Sequence, residues 1–443
     1  MNQTRPPHMR LSGRDEQYRN AKRPVQLSLV SWTPCIAMLL LSFISLLDRS
    51  ILSILSPVIL RDLHLNAEQY GMAIFVFSIC YMLANPVWGF CMDRLGLFAA
   101  IGLAVGLWSL ASGAHALLAG FAGLCCARGL LGFGEGATFP AGLKTVVETL
   151  PPERRSFGLG LAYSGGSLGA LLTPIVIVPL AHRWGWRSTF VMSAAVGFAW
   201  IGGWLLLRVA GLYRPIAAQE NPREAVASSR WNRGLFATAA IYGLGAAPLA
   251  FGLYAGPLYL NRVLHQPQSA LGHLLWIPPA GWEAGYLFWG WVADHKRRRA
   301  AGAGLSSPLA LFSLLGLGST LLVAAIPFCA NLPSALFVTM ALLFLVMFLS
   351  GGFVVLALAY GATTQTAVNG GFLAGFSISG WSLTTGVLMW VVGRMFDRGE
   401  FAQSFWLVSA LPCAGIVLWR LLSGNPPKDS ASLAKAEIDP ALV

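Results

Sequence analysis

Charge is what this sequence has least of. Of its 443 residues only 11% are Asp, Glu, Lys or Arg, where a soluble globular chain carries roughly 25%. With 56% apolar residues and a mean hydropathy of +0.64, that shortage excludes a soluble enzyme, a disordered chain and a nucleic-acid binder. Paired cysteines are missing as well. Cys35, Cys80, Cys91, Cys125, Cys126, Cys329 and Cys413 all lie in apolar runs with no Cys-x-x-Cys spacing. That pattern argues against disulfides and zinc and reads them as small core residues. No Ser/His/Asp or metal-ligand cluster is visible, so neither an enzyme nor a metal site is expected. His115, His182 and His265 fall at the edges of apolar runs, and the first 30 residues are too polar for a secretory signal.

What is present is a long series of apolar runs. A membrane-crossing helix takes about 20 apolar residues, so a chain of this length accommodates roughly twelve passes. The runs fall near 32–59, 70–91, 98–119, 122–146, 156–181 and 187–208, then 234–260, 269–292, 306–327, 332–358, 370–393 and 403–421. The fold class expected is an all-α membrane protein of twelve transmembrane helices in two pseudo-symmetric six-helix bundles. The bundles span 31–209 and 233–422, joined by the polar segment 210–232 with Pro215 and Pro222 and flanked by tails 1–30 and 423–443.

The net charge of +12 is a topology signal. Basic residues gather in alternate connections: Arg5, Arg10 and Arg14 in the first tail, Lys144, Arg154 and Arg155, then Arg223, Arg230 and Arg233, and the run Lys296 to Arg299. The other side carries few, among them Arg61, Arg187 and Arg262. Positive loops stay in the cytoplasm, which places both tails there and explains the basic run without nucleic acid.

Two segments almost half a chain apart resemble each other. Gly89-Phe-Cys-Met-Asp93-Arg94-Leu-Gly96 ends the second run, and Gly290-Trp-Val-Ala-Asp294-His-Lys296-Arg297 ends the eighth. A glycine allows close helix approach, and a carboxylate beside cations forms a breakable ion pair or caps a neighbouring helix. Related halves rocking about a midplane site is the architecture of secondary transporters. The pair of motifs resembles the loop signature of the major facilitator superfamily, although Leu97, Phe98, Ala99 and Ala100 stand where a basic pair is common in the first copy. Gly102-Leu-Ala-Val-Gly106 and Gly165-Gly-Ser-Leu-Gly169 read as helix-packing signals.

Five charges sit inside the runs: Asp48, Arg49, Arg128, Glu135 and Glu283. Each costs about 2.5–3.5 kcal/mol on insertion scales. Arg128 and Glu135, seven residues apart, share a helix face about 10 Å from one another, and glycines at 129, 132, 134 and 136 thin that helix. The two pairs, Asp48 with Arg49 and Arg128 with Glu135, sum to zero charge, so they can satisfy each other in the empty protein. A carboxylate guest adds one negative charge, and the cheapest compensation is to protonate Asp48 or Glu135, since a dry site disfavours an ionised carboxyl. Anion binding and H+ uptake are then linked. The competing reading is a set of structural ion pairs that orient helices. Tyr81 shares a face with Ser78 and Asn85, either as a ligand contact or as a packed tyrosine. Glu283, in Trp276-Ile-Pro-Pro-Ala-Gly-Trp282-Glu283-Ala-Gly, marks a broken helix of the kind transporters place at ligand sites. Around Trp381, Ser377, Ser379, Ser382, Thr384 and Thr385 are expected to bond their own helix. Gly132-Phe-Gly134-Glu-Gly136 is not a dinucleotide loop, because no strand precedes it.

The set Asp48-Arg49-Ser50, Tyr81, Arg128-Gly-Leu-Leu-Gly-Phe-Gly-Glu135, Pro151-Pro-Glu-Arg154-Arg155 and Trp186-Arg187 is similar to the anion:cation symporter family of that superfamily. The resemblance is dense over 40–190. It implies proton-driven uptake of a carboxylate, with Arg49 and Tyr81 holding the substrate, Asp48 and Glu135 carrying protons, and Arg128 tuning Glu135. Asn85, Glu283 and Trp381 complete the expected substrate set; Gly89, Asp93, Arg94, Gly290, Asp294 and Arg297 form the expected gate. Gly166 stands where sugar-acid members can have a glutamine, and Trp276 to Gly290 resembles the hexuronate-type branch. The leading expectation is therefore a monomeric symporter in the inner membrane, with H+ as coupling ion and no other cofactor, for an organic anion such as a hexuronate or aldonate. An efflux antiporter of the same fold is the alternative raised by the 16 Trp and 25 Phe; buried Arg49 argues against it, because it would repel cationic drugs.

Overall fold

A computed structural model describes residues 32–151, 154–213, 232–299, 308–364 and 370–423. The expected tails, most of the 210–232 linker and the side chain of Arg297 lie outside them. Every regular element among the described residues is helical. In the first half, Thr33–Ile54 and Ser56–Asp62 form span one, Ala67–Leu95 span two and Leu97–Ala114 span three. Phe121–Glu135 and Thr138–Thr149 form span four, Arg155–Trp184 span five and Trp186–Val209 span six. In the second half, Arg233–Gly245, Ala247–Tyr254 and Gly256–Arg262 form span seven, and Gln268–Leu274 with Ile277–Arg299 span eight. Leu309–Cys329, Ala335–Thr364, Gly370–Asp397 and Phe401–Ser423 are spans nine to twelve.

Ten helices among the described residues are long and apolar enough to cross a membrane. Spans four and eight complete the twelve as broken helices. The fourth, expected as one run over 122–146, breaks at Gly136–Ala137. The eighth breaks at Leu275–Trp276, immediately ahead of Pro278 and Pro279, which occupy the first turn of Ile277–Arg299, where a missing N–H costs nothing. The same logic breaks span one ahead of Pro57 and span seven ahead of Pro248 and Pro257.

The halves repeat one packing plan. Spans one and five, two and four, and three and six pack together; seven and eleven, eight and ten, and nine and twelve do the same. Glycines permit the closest approaches. A Cβ at Gly165 would collide with the Leu39 carbonyl of span one, at Gly132 with the Phe77 carbonyl of span two, and at Gly281 with the Phe344 carbonyl of span ten. Of the expected packing signals, Gly165 and Gly169 pack in this way. Gly102 faces open space and Gly106 meets only the end of Ile201, so the Gly102-x-x-x-Gly106 expectation is corrected: that face is turned away from any helix backbone.

The apolar core is divided unequally along the membrane normal. One cluster draws on both halves and joins Ile51, Leu55, Tyr70 and Phe190 to Phe251, Tyr254, Met389 and Phe405. It lies at the ends where spans one, three, five, seven, nine and eleven finish, which we call the sealed end. Toward the other end, the split end, the core separates into a first-half cluster around Trp108 and Trp204 and a second-half cluster around Phe312 and Phe353, with the partly buried Ile378 touching both.

At the sealed end the halves are also joined by polar contacts. Asp397, the last residue of span eleven, accepts hydrogen bonds from the Ala67 and Glu68 backbone N–H groups at 2.9 and 2.7 Å, capping span two across the interface. Arg262 stands 3.3 Å from Asp397, and Arg394 stands 3.4 Å from Glu68. Gly71 and Gly393 let spans two and eleven approach to backbone contact. Within the first half, Arg187 (2.6 Å) and the Trp186 indole (3.0 Å) both donate to Asp62, which gives Trp186-Arg187 a structural role. These two bonds, Arg187 first, hold the exposed Asp62 carboxyl below its ordinary value of 3.8.

Two outcomes follow from this packing. Gly165→Val should cost about 1–3 kcal/mol, read as a lower unfolding temperature in detergent, whereas Gly102→Val should leave that temperature unchanged. A carboxyl depressed by folding stabilises above its unfolded pKa and loses that contribution as pH falls through the folded value. The stability difference between the wild-type chain and Asp62→Asn should therefore be present at neutral pH and shrink as the buffer is taken below 3.8, measured by thermal unfolding across a pH series.

Candidate functional site

Span one delivers Asp48 and Arg49 into the interior because it is packed on nearly every side, and span four delivers Glu135 at the end of its first segment, next to the break at Gly136. Glu135 is 0% exposed, Asp48 and Arg128 1%, and Arg49 7%. Arg49 Nε reaches across to Glu135 Oε2 at 2.5 Å, and Ser45 bridges the two, donating to the same oxygen at 2.8 Å and accepting from Arg49 Nη2 at 3.2 Å. The guanidinium lies over the Tyr81 ring, 4.3 Å from its centroid, and 5.1 Å from that of Phe77, a cation–π seat from span two.

Asp48 makes no ion pair. Its Oδ1 accepts from Ser112 at 2.6 Å and from Ser193, while Oδ2 has no partner. Arg128 makes none with Glu135, and its Nε and Nη2 have no hydrogen-bond partner. Of the four charges expected to satisfy one another, Arg49 and Glu135 do so directly, while Asp48 and Arg128 make no ion pair among the described residues. Arg128 stands two helical turns nearer the sealed end, with Glu135, Tyr70, Tyr254 and Asp48 as electrostatic neighbours. The serines were missed in the sequence. Ser45 precedes Arg49 by one helical turn and carried a faint signal; Ser112 and Ser193, single hydroxyls in apolar runs, carried none.

Asn85 is buried, but its amide donates to the Tyr81 carbonyl of its own helix at 2.8 Å, leaving Oδ1 without a partner. Trp381 donates its indole N–H to Ala246, at the break in span seven, at 3.3 Å. It belongs with Trp282, Tyr286, Met347 and Leu249 to a small cluster that includes Ala170 of span five, so it bridges the halves. Glu283 follows Trp282 and its Oε2 is buried without a partner. Ser377, Ser379 and Thr384 bond carbonyls of their own helix at 2.8, 3.0 and 3.0 Å. His115 stands at the end of its run, just past Ala114, and is fully buried, bonded to the Ala111 carbonyl at 2.7 Å and stacked on Phe190.

The expected gate residues lie at the split end. A Cβ at Gly89 would meet nothing within 4 Å, and one at Gly290 would meet only Val355 at 3.9 Å, because the halves are apart there. Gly96 is a turn glycine, with φ 82° and ψ 149°, a conformation closed to other residues. Asp93 pairs with Lys144 of span four at 2.5 Å, and Lys144 also donates to the Met92 carbonyl at 3.0 Å. Arg94 leaves Asp93 and stacks on Phe90. Asp294 is exposed and His295 stacks on Trp291. All seven cysteines are free thiols.

Comparison with known proteins agrees with this architecture. The Major Facilitator Superfamily profile matches residues 38–321. The hexuronate transporter of Escherichia coli (strain K12) is 26% identical over 418 residues, covering 89% of this chain and 94% of that protein. The hexuronate transporter of Bacillus subtilis (strain 168) is 37% identical over 161 residues, 36% of this chain and 38% of that protein. Among solved structures, a bacterial homologue of the human lysosomal transporter Spinster, in an inward-facing and unoccupied conformation, superposes with a TM-score of 0.68 at 16% identity, over 90% of this chain and 98% of that one. With two six-span halves, one packing plan used twice and a profile match over most of its length, the chain belongs to the Major Facilitator Superfamily and is a multi-pass membrane transporter, not an enzyme.

Proposed function

We propose that this chain is a proton-coupled symporter that takes up a sugar acid, a hexuronate or aldonate, across the inner membrane by alternating access. The observation that carries the reading is the buried Arg49–Glu135 pair on the Tyr81 face. A carboxylate guest competes with Glu135 for the same guanidinium. When the guest wins, Glu135 is left as an unpaired carboxylate in a dry site, a state costly enough that it takes up H+. Asp48, held only by serine hydroxyls, is the second group able to carry a proton, and Arg128 sets the local potential between them. The sugar-acid class is supported by the names of the relatives from E. coli and B. subtilis. The same names, with the buried arginine, disfavour drug efflux.

The basic connections lie at the split end, so by the positive-inside rule that end faces the cytoplasm with both termini, and the sealed end faces the periplasm. Transport then requires the Asp397 cap and the Gly71–Met389 contact to part, and the Asp93 and Asp294 ends of spans two and eight to close.

Four measurements test this. Proteoliposomes should accumulate labelled galacturonate when the outside is more acidic and stop when a protonophore is added; uptake indifferent to the gradient overturns the coupling. Arg49→Gln should weaken substrate binding at least about thirtyfold, the lower end of what truncating a buried charge partner costs; unchanged affinity removes Arg49 from the carboxylate site. Glu135→Gln should keep substrate exchange between equal solutions and lose accumulation, and retained accumulation assigns the proton elsewhere. Asp397→Asn should raise the population open to the periplasm, seen as a longer distance between spin labels at Arg61 and Ser269 on a cysteine-free background.

A further inference from the structure

Glu283 is the intramembrane charge that the proton and carboxylate roles leave unused; the residue is half-buried, with its Oε2 covered. It lies on the long segment of span eight, whose Gly281 and Gly285 press against the backbone of span ten. That contact turns Glu283 away from span ten, toward the side where Pro278 and Pro279 meet Ala170 and Pro174 of span five across the interface between the halves. Its neighbour Trp282 stands edge-on to Tyr286, with ring centroids 5.4 Å apart, and both pack in the cluster that includes Ala170. Oε2 of Glu283 is buried with no hydrogen-bond partner, and Glu283 makes no ion pair among the described residues. Tyr286 is an electrostatic neighbour of Glu283, and Tyr242 of both Tyr286 and Tyr81. Arg49 over Tyr81 thus supplies a cation from the first half, and Glu283 a carboxylate from the second, beside the aromatic cluster that bridges the halves.

We infer that Glu283 is a specificity residue that selects sugar acids with one carboxylate and rejects those with two. This rests on the sugar-acid reading above. A hexuronate or aldonate whose carboxylate is held at Arg49 presents hydroxyls at its far end, and a carboxylate with a free oxygen accepts hydrogen bonds from hydroxyls. An aldarate of the same length presents a second carboxylate there. It then meets Glu283 as a like charge in a poorly solvated site, which is the costliest kind of mismatch available to a binding site. A neutral polar residue at 283 would bind hydroxyls as well and would not discriminate. An arginine would reverse the preference.

The test is competition. Uptake of labelled galacturonate into proteoliposomes is measured against unlabelled galacturonate and unlabelled galactarate, for the wild-type chain, Glu283→Gln and Glu283→Asp. Expected is a galactarate-to-galacturonate ratio of half-inhibiting concentrations that falls at least about tenfold in Glu283→Gln and stays high in Glu283→Asp, which keeps the charge. A ratio unchanged by Glu283→Gln overturns the inference while leaving sugar-acid transport standing. A wild-type chain that takes up no galacturonate overturns the sugar-acid reading, and this inference with it. Should Glu283→Gln fail to insert or fold, Glu283→Ala takes its place with the same expected fall in the ratio, and an unchanged ratio counts against the inference.

Discussion

A buried guanidinium can satisfy only one carboxylate at a time at its Nε edge, and the first half is arranged around that constraint. Arg49 is held over Tyr81, bonded to Ser45 and paired with Glu135, so it is fully engaged when no guest is present. The pair is not there for stability; a well-packed apolar replacement would often do as well. Its value lies in being replaceable. A carboxylate that takes Glu135's place at Arg49 leaves a charge behind, and only a proton offsets that charge inside a bundle this dry. In the proposed function, substrate and H+ are coupled by one shared cation, with no need for a long relay.

The arrangement also explains why span four is broken. An uninterrupted helix would place Glu135 in the middle of a rigid rod. The break at Gly136–Ala137 ends the helix at the carboxylate, and Gly132, Gly134 and Gly136 seat it against spans two and three at backbone distance. Glu135 can thus reach a side chain on span one without span four being pushed away. The price is that this span fails a simple length-and-apolarity test for a membrane crossing. Span eight fails it too, because Pro278 and Pro279 interrupt it near the sealed end and the basic run ends it at the other.

The fold was largely legible in advance because membrane helices leave a simple record. Apolar runs, prolines at breaks and the asymmetry of basic loops define spans, and a motif repeated near half-chain spacing defines the halves. The site was legible in its charges, since five ionisable residues in such a chain stand out. Their pairing was not. The charge sum let the pairs Asp48/Arg49 and Arg128/Glu135 satisfy each other, but helix packing decides which side chains meet, and it joined Arg49 to Glu135 across spans one and four. The serines around Asp48 were invisible for the same reason. A motif's sequence does not report the state of the molecule: a Cβ at Gly89 would meet nothing within 4 Å and one at Gly290 only Val355.

The two halves have diverged in what they contribute, and the division has a physical logic. Four of the five buried charges belong to the first half, where they form a set that is neutral when empty. The second half presents Trp282, Tyr286 and Trp381, aromatic surfaces with few free polar atoms, together with Glu283. Rocking one half against the other changes the distance between a charged wall and an aromatic one while leaving the charged network intact within a single rigid body. If each half carried one partner of the Arg49–Glu135 pair, every cycle would tear a buried ion pair apart and expose both ends to water. Keeping the pair within the first half lets the guest alone decide when it opens.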